Sequence, residues 1–156
     1  MLKLEIPGRA GVEIENVVFD YNGTLAVDGE MSQSIKEMLM KIKNNFNVYI
    51  LTADTYGTVK EACKDLDVNI KTFPHENVGI CKSEIVKNLG KEKTICVGNG
   101  YNDIIMIQES VISMGIIGKE GCCGKLLCHC DIVVNAIEDV FDLLLHPNRI
   151  KATLRN

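Results

Sequence analysis

The sequence has no tryptophan and only three prolines, and aromatic residues make up 5% of its 156 positions. With no proline-rich, low-complexity or repeated stretch, extended linkers and repeat arrays are excluded. An excess of positive charge is also lacking: 17 Lys and Arg stand against 21 Asp and Glu, for a net charge of −4 and a pI near 5.4. That balance excludes a general affinity for nucleic acid or for an anionic membrane, because no basic surplus exists to displace phosphate counterions. No apolar run approaches the roughly 20 residues that span a bilayer. The best stretch, Val111 to Gly118, is interrupted by Ser113 and Gly115. The first residues carry a charge every few positions and no apolar signal core, so the expected location is the cytoplasm.

What remains is an ordinary globular balance, 46% hydrophobic and 24% charged. A chain of this length buries a substantial core without disulfide or metal support. One core domain is expected over 1–156, with an N-terminal hairpin over about 1–15 and a C-terminal tail over about 147–156, either a docking segment or frayed. The seven cysteines are an odd count in a chain that needs no stapling, and are read as reduced thiols.

Short apolar runs and helical stripes alternate. "LKLEI" and "VEIE" alternate in polarity around Pro7-Gly8 and predict the hairpin. "NVVFD" (16–20), "NVYILT" (47–52), "VNIKTF" (68–73), "KTICVGNG" (93–100), "VISMGII" and "DIVVN" read as strands. Between them, helices are predicted over 32–46, along Val59, Ala62, Cys63 and Leu66, over 78–89 ending at Gly90, from "YNDIIMIQES", near 122–129, and in "AIEDVFDLLLH". Ser34 with Glu37 forms a candidate capping box for the first of these. Strands apolar on both faces, alternating with helices, predict an α/β fold: a three-layer, Rossmann-like parallel sheet with helices on both sides. Ligands of such sheets sit outside the carboxyl ends of the strands. This directs attention to Asp20, to Thr52, and to Gly98 through Asp103.

Asp20-Tyr21-Asn22-Gly23-Thr24-Leu25 follows its strand directly. An Asp there serves as a nucleophile or a metal ligand, and a glycine turn presents N–H groups to phosphate oxygens; an Asx turn without chemistry is the alternative. Gly98-Asn99-Gly100-Tyr101-Asn102-Asp103 has the look of a dinucleotide fingerprint, but Asp103 takes the place of the third glycine and would repel a pyrophosphate.

Together these pieces resemble the haloacid dehalogenase superfamily of phosphohydrolases and phosphotransferases, over about 16–138. The Asp-x-Asp-Gly-Thr motif is matched by Asp20, Gly23 and Thr24. The hydroxyl closing the second strand is Thr52, the lysine near a helix start is Lys82, and Gly-Asp-Gly-x-Asn-Asp is matched by Gly98, Gly100, Asn102 and Asp103. "ICVGNGYNDIIMIQES…SMGIIG" is also similar to the phosphorylation domain of P-type ATPases and to soluble P-type ATPase-like phosphatases.

The resemblance implies a Mg²⁺-dependent phosphohydrolase or phosphotransferase working through an aspartyl-phosphate on Asp20. Asp20, Asn22, Thr52 and Lys82 would be catalytic. Asp20, Gly23, Thr52, Ala53 and Lys82 would hold phosphate, and Asp20, Asn22, Asn99 and Asp103 the metal. Mg²⁺ and Lys82 offset the repulsion between a carboxylate and a phosphate dianion.

Two positions depart from the pattern. Asn22 stands where the family has its acid–base Asp; an amide cannot exchange the proton, a contribution of typically about 10²–10⁴ in rate. Asn22 therefore implies slow turnover or good leaving groups. Asn99 replaces a ligating Asp and removes one negative charge, which implies weak Mg²⁺ binding that tightens with phosphate. A non-catalytic phosphate- or partner-binding domain is the alternative.

No stretch is long enough for a cap domain, so an open site is expected. Its substrate would be a phosphorylated small molecule or a phosphoprotein, and a homo-oligomer is expected, with neither nucleic acid nor membrane as partner. Cys122, Cys123, Cys128, His129 and Cys130 match no standard zinc spacing and are read as small packing residues; a metal-sensing role is the rival. His75 falls in a loop after the third strand of the sheet, either a solvent-exposed side chain or a catalytic base.

Overall fold

The computed structural model describes all residues, Met1–Asn156. Strands β1 (Leu2–Leu4) and β2 (Val12–Ile14) form the expected antiparallel hairpin, with Leu2 opposite Ile14. One face of this hairpin buries Leu4 and Ile14. The chain then enters β3 (Asn16–Phe19), whose four residues are all buried.

The remaining order is α1 (Gln33–Lys43), β4 (Asn47–Thr52), α2 (Val59–Ala62), β5 (Asn69–Thr72), α3 (Val78–Leu89), β6 (Thr94–Gly98), α4 (Ile104–Gln108), β7 (Ile112–Ile116), α5 (Gly124–Leu127), β8 (Ile132–Val134), α6 (Ile137–Leu145) and α7 (Asn148–Leu154). Strands β3 to β8 make one six-stranded sheet in the order β5-β4-β3-β6-β7-β8. Every neighbouring pair in it is parallel. No helix is long and apolar enough to cross a membrane.

Strand alternation divides the core in two. Val17, Phe19, Val48, Ile50, Ile95 and Val97 point into the larger cluster, which α1, α6 and α7 cover with Leu39, Phe141 and Ile150 among others. Val18, Leu51 and Cys96 point the opposite way, toward Val86 of α3, Met106 and Ile107 of α4, and Leu126 of α5. The period-2 alternation of the central strands thus specifies two covered faces. On the larger face the Phe19 and Phe141 rings lie 5.8 Å apart between centroids.

Three details differ from the sequence expectation. Helix α1 is capped by Ser32, whose side chain accepts from the Ile35 N–H at 3.4 Å, rather than by Ser34. Ser32 has the extended backbone an N-cap needs, whereas Ser34 already lies inside the first turn. The helix also stops at Lys43, short of Phe46.

The tail is neither frayed nor free. It forms α7, buries Ile150 and Leu154, and returns to the hairpin, where the Asn156 N–H donates to the Pro7 carbonyl at 3.1 Å. Two apolar residues four apart are enough to seat one short helix on a core already built.

Phe141→Ala should lower the unfolding free energy by about 3–5 kcal/mol. Denaturant titration would show this as a lower midpoint at unchanged slope.

Candidate active site

The sheet changes direction of travel at β3. The chain steps outward to β4 and β5, then returns to place β6 on the other side of β3. The carboxyl ends of β3 and β6 border this switch point, where open parallel sheets bind ligands. Asp20 follows β3, and its backbone N–H donates to the Val97 carbonyl of β6 at 2.9 Å. Thr52 ends the neighbouring strand β4, where Phe19 pairs with Ile50.

Lys82 enters from α3. Val78, Lys82 and Val86 recur every four residues on the buried side of that helix, so the lysine stem runs along the apolar stripe and its ammonium emerges beneath the strand ends. The side chain is fully buried. Its Nζ donates to Asp20 Oδ1 at 2.5 Å and to Asp103 Oδ1 at 2.7 Å. Asn102 Oδ1 lies 3.5 Å away.

Asp103 closes a turn of 3₁₀ helix, Tyr101–Asp103. Its other oxygen, Oδ2, accepts from the N–H groups of Asn99 at 3.1 Å and Gly100 at 2.9 Å. Gly98 permits this approach, because a β-carbon there would lie 2.6 Å from the Asp103 carboxylate.

Burial is the largest influence on Asp20, and Asp103 the next; both favour the neutral acid. Lys82 and the Tyr21 N–H oppose them, and the carboxyl is still raised from 3.8 to about 7. Burial works against the charge on Lys82, but Asp103 and Asp20 outweigh it and hold the ammonium above the ordinary lysine range. The centre is therefore an acidic pair bridged by one cation.

The segment after Asp20 makes a small flap containing two isolated bridges, Asn22 with Ala26 and Val27 with Glu30. Tyr21 is wholly buried and its hydroxyl donates to the Gly29 carbonyl at 3.1 Å. Gly23 has φ +76°, and a β-carbon on it would meet the side chains of Asn99 and Glu120. Thr24 Oγ1 donates to Asn99 Oδ1 at 3.2 Å, and Asn99 Nδ2 donates to the Gly121 carbonyl at 3.1 Å. Glu120 Oε1 accepts the Asp28 N–H at 3.2 Å, tying the flap to the loop after β7. Neither this segment nor the one between β4 and α3 contains a separate folded unit.

The structure thus brings Asp20, Lys82 and Asp103 into direct contact and sets Gly23 against Asn99. Thr52 and Ala53 stand at the adjoining strand end. The Thr52 hydroxyl accepts the Asp54 N–H at 2.9 Å, which positions its oxygen. Asn22 Oδ1 is buried without any hydrogen-bond partner. An unpartnered buried oxygen calls for an explanation. The carboxylates of Asp20 and Asp103, the amide of Asn99 and the backbone carbonyl of Asn22 are all oxygen donors, the kind Mg²⁺ takes.

Two motif residues take parts that the sequence did not specify: Asn102 reaches toward the ammonium and Thr24 orients Asn99. Glu120, which fastens the flap, lies outside every motif and had no local signal.

The remaining cysteines and histidines lie outside this centre. No three His, Cys, Asp or Glu side chains gather in metal-binding positions. Cys122, Cys123 and Cys130 pack against the smaller core cluster, and Cys130 Sγ would lie 2.7 Å from a β-carbon on Gly115. His129 pairs with Gln108 at 3.0 Å.

No family model matches the chain. It is 42% identical over 81 residues to an uncharacterized protein of Methanocaldococcus jannaschii, covering 49% of this chain and 87% of that protein. It is 26% identical over 123 residues to a soluble P-type ATPase-like phosphatase of the same organism, covering 77% of this chain. The match spans 45% of that phosphatase's length. In fold it is similar to a 3-deoxy-D-manno-octulosonate 8-phosphate phosphatase from Moraxella catarrhalis, crystallised with magnesium, phosphate and KDO. That likeness has a TM-score of 0.66 at 16% identity and covers 91% of this chain and 94% of the other.

The raised Asp20 carboxyl makes stability pH-dependent in the metal-free protein. A folded-state value above the unfolded one favours folding below about pH 4, and that contribution is lost as pH rises through about 7. Asp20→Asn, which removes this titration, should gain in melting temperature relative to the wild type between pH 4 and pH 8. Thermal melts across that range would read a constant difference if Asp20 titrated as an ordinary carboxyl.

Proposed function

We propose that the chain is a phosphoryl-transfer enzyme of the haloacid dehalogenase superfamily, a Mg²⁺-dependent phosphohydrolase or phosphotransferase with Asp20 as nucleophile; its fold is similar to that of hydrolases of this superfamily, and it is 26% identical to a soluble P-type ATPase-like phosphatase. The observation that carries this reading is the buried Lys82 ammonium held between the Asp20 and Asp103 carboxylates at a strand-end switch point.

An Asp20 oxygen attacks the phosphorus as the bond to the leaving oxygen breaks, giving an aspartyl-phosphate; water then attacks the same phosphorus and releases Asp20 and phosphate. Lys82 keeps Asp20 ionised at the moment of approach and neutralises part of the incoming dianion. The Thr52 hydroxyl, with the backbone at Ala53 and Gly23, binds the transferring oxygens. Asp103 holds Lys82 in place and, through its second oxygen, fixes the turn that carries Asn99.

Asp20, the backbone carbonyl of Asn22, Asn99 and Asp103 would hold Mg²⁺. When bound, the ion supplies positive charge that screens the dianion from the carboxylates. Asn22 can orient the leaving oxygen or the water but cannot give or take a proton. Turnover is therefore slow and favours leaving groups that depart without protonation, such as acyl phosphates.

Acetyl phosphate and p-nitrophenyl phosphate hydrolysis tests the reading. Asp20→Asn should abolish both, and unchanged rates in that variant would sink the proposal. Asn22→Asp should raise hydrolysis of esters with poor leaving groups, by up to about 10²–10⁴, and act less on acetyl phosphate. Mg²⁺ or Mn²⁺ titration should show weak binding that tightens when phosphate is added; no binding at millimolar metal with phosphate present would count against the ligand set.

A further inference from the structure

A cavity of 460 Å³ opens beside the phosphoryl site, between the loop after β4, the start of α3 and the turn that carries Asp103. It shares two residues with that site: Ala53, which follows Thr52, and Asn102, whose Oδ1 approaches the Lys82 ammonium at 3.5 Å. A phosphate seated on Asp20 and Lys82 would therefore have its leaving group at the mouth of this cavity. Its volume lies within the range of small-molecule pockets, roughly 300–1,000 Å³.

The lining contains no Asp, Glu, Lys or Arg. Its polar side chains are Thr55, His75, Asn77, Tyr101 and Asn102. These donate and accept hydrogen bonds, but none is a permanent charge. The rim is apolar and unusually open for its residue types: Ile80 is 50% exposed, Ile105 41% and Tyr101 68%. Outside the lining, the Lys125 ammonium lies 5.8 Å from the Tyr101 ring centroid and braces the ring.

These features discriminate between classes of leaving group. A carboxylate or a zwitterion entering the cavity would lose water and find no fixed countercharge in the walls, which is unfavourable. A neutral group with a flat ring and a few hydroxyl or amide functions would meet the exposed Tyr101 face, the two isoleucines and the asparagine amides. Stacking of a base on an aromatic side chain is favourable and tolerant of which base is stacked.

We propose that this cavity is the leaving-group subsite and that it selects phosphate monoesters of neutral, ring-bearing alcohols, of the nucleoside or aryl class, over esters carrying a carboxylate. The proposal rests on the phosphoryl-transfer reading above. Tyr101 is its principal contact, with Asn77 and Asn102 fixing the polar edge of the ring.

The test uses the Mg²⁺-loaded full chain and a panel of adenosine 5′-monophosphate, p-nitrophenyl phosphate, phosphoserine and 3-phosphoglycerate, with acetyl phosphate as a ringless reference. The two ring-bearing esters should exceed phosphoserine and 3-phosphoglycerate by about tenfold or more in kcat/KM. Tyr101→Ala should reduce that advantage, measured as a ratio to acetyl phosphate, by about tenfold through KM, whereas Tyr101→Phe should keep it.

Separately, titration of adenosine should perturb the NMR signals of Tyr101 and Asn102 in the wild type and not in Tyr101→Ala. Equal kcat/KM across the panel, with acetyl phosphate turnover still lost in Asp20→Asn, would overturn the subsite and leave the phosphatase standing. Adenosine binding with no turnover of any ester would overturn the phosphatase while the cavity keeps its ligand class. Absence of both would remove the two together.

Discussion

One ammonium group holds the centre of this molecule together. Lys82 is buried completely between two carboxylates, and each of the three charges would be unfavourable there without the others. The ammonium needs both acids to remain charged in the interior. The acids need it to tolerate each other across the end of β3 and the turn after β6. The arrangement leaves Asp20 poised, with burial and Asp103 pulling toward the neutral acid and Lys82 pulling toward the anion. A group balanced in that way responds strongly to any further positive charge, which suits the nucleophilic role proposed for it.

Around this centre the flap and the turn are set by contacts between segments distant in sequence. Asn99 is oriented by Thr24 and Gly121, and the flap by Glu120. The amides at 22 and 99 replace charges without removing oxygen atoms. On the reading proposed above, they would keep the shape of a cation site while lowering its field and would give up proton transfer; Asn22 Oδ1 stays without a partner inside the fold.

Much of the fold is legible from sequence because it rests on local, repeated signals. "NVVFD" and "NVYILT" are apolar on both faces and end in polar residues, which marks them as central strands with their ends at a ligand site. The helix over Val78–Leu89 could be bounded because a glycine stops it. Asp20, Thr52 and Asp103 were readable because each falls at or just after a strand end, whereas Lys82 was found only through the family resemblance.

What escaped depends on contacts no short window contains. Two serines near the start of α1 are equivalent in composition and differ only in backbone angle. Ile150 and Leu154 give too brief a stripe to distinguish a seated helix from a loose tail. Asn102, Glu120 and the walls of the cavity become neighbours of the centre only when β6 and β7 are laid beside β3.

That placement bears on how the molecule comes into being. Asn16 and Thr94 touch across the central strand pair, although 78 positions separate them along the chain. On a ribosome, the strand that ends at Asp20 leaves the exit tunnel long before β6, its partner, exists. Long-range parallel pairing is slow to form, so Asp20 must wait in a partly assembled sheet, solvated and uncommitted. The chemistry arrives last, as a property of the finished topology rather than of any fragment of it.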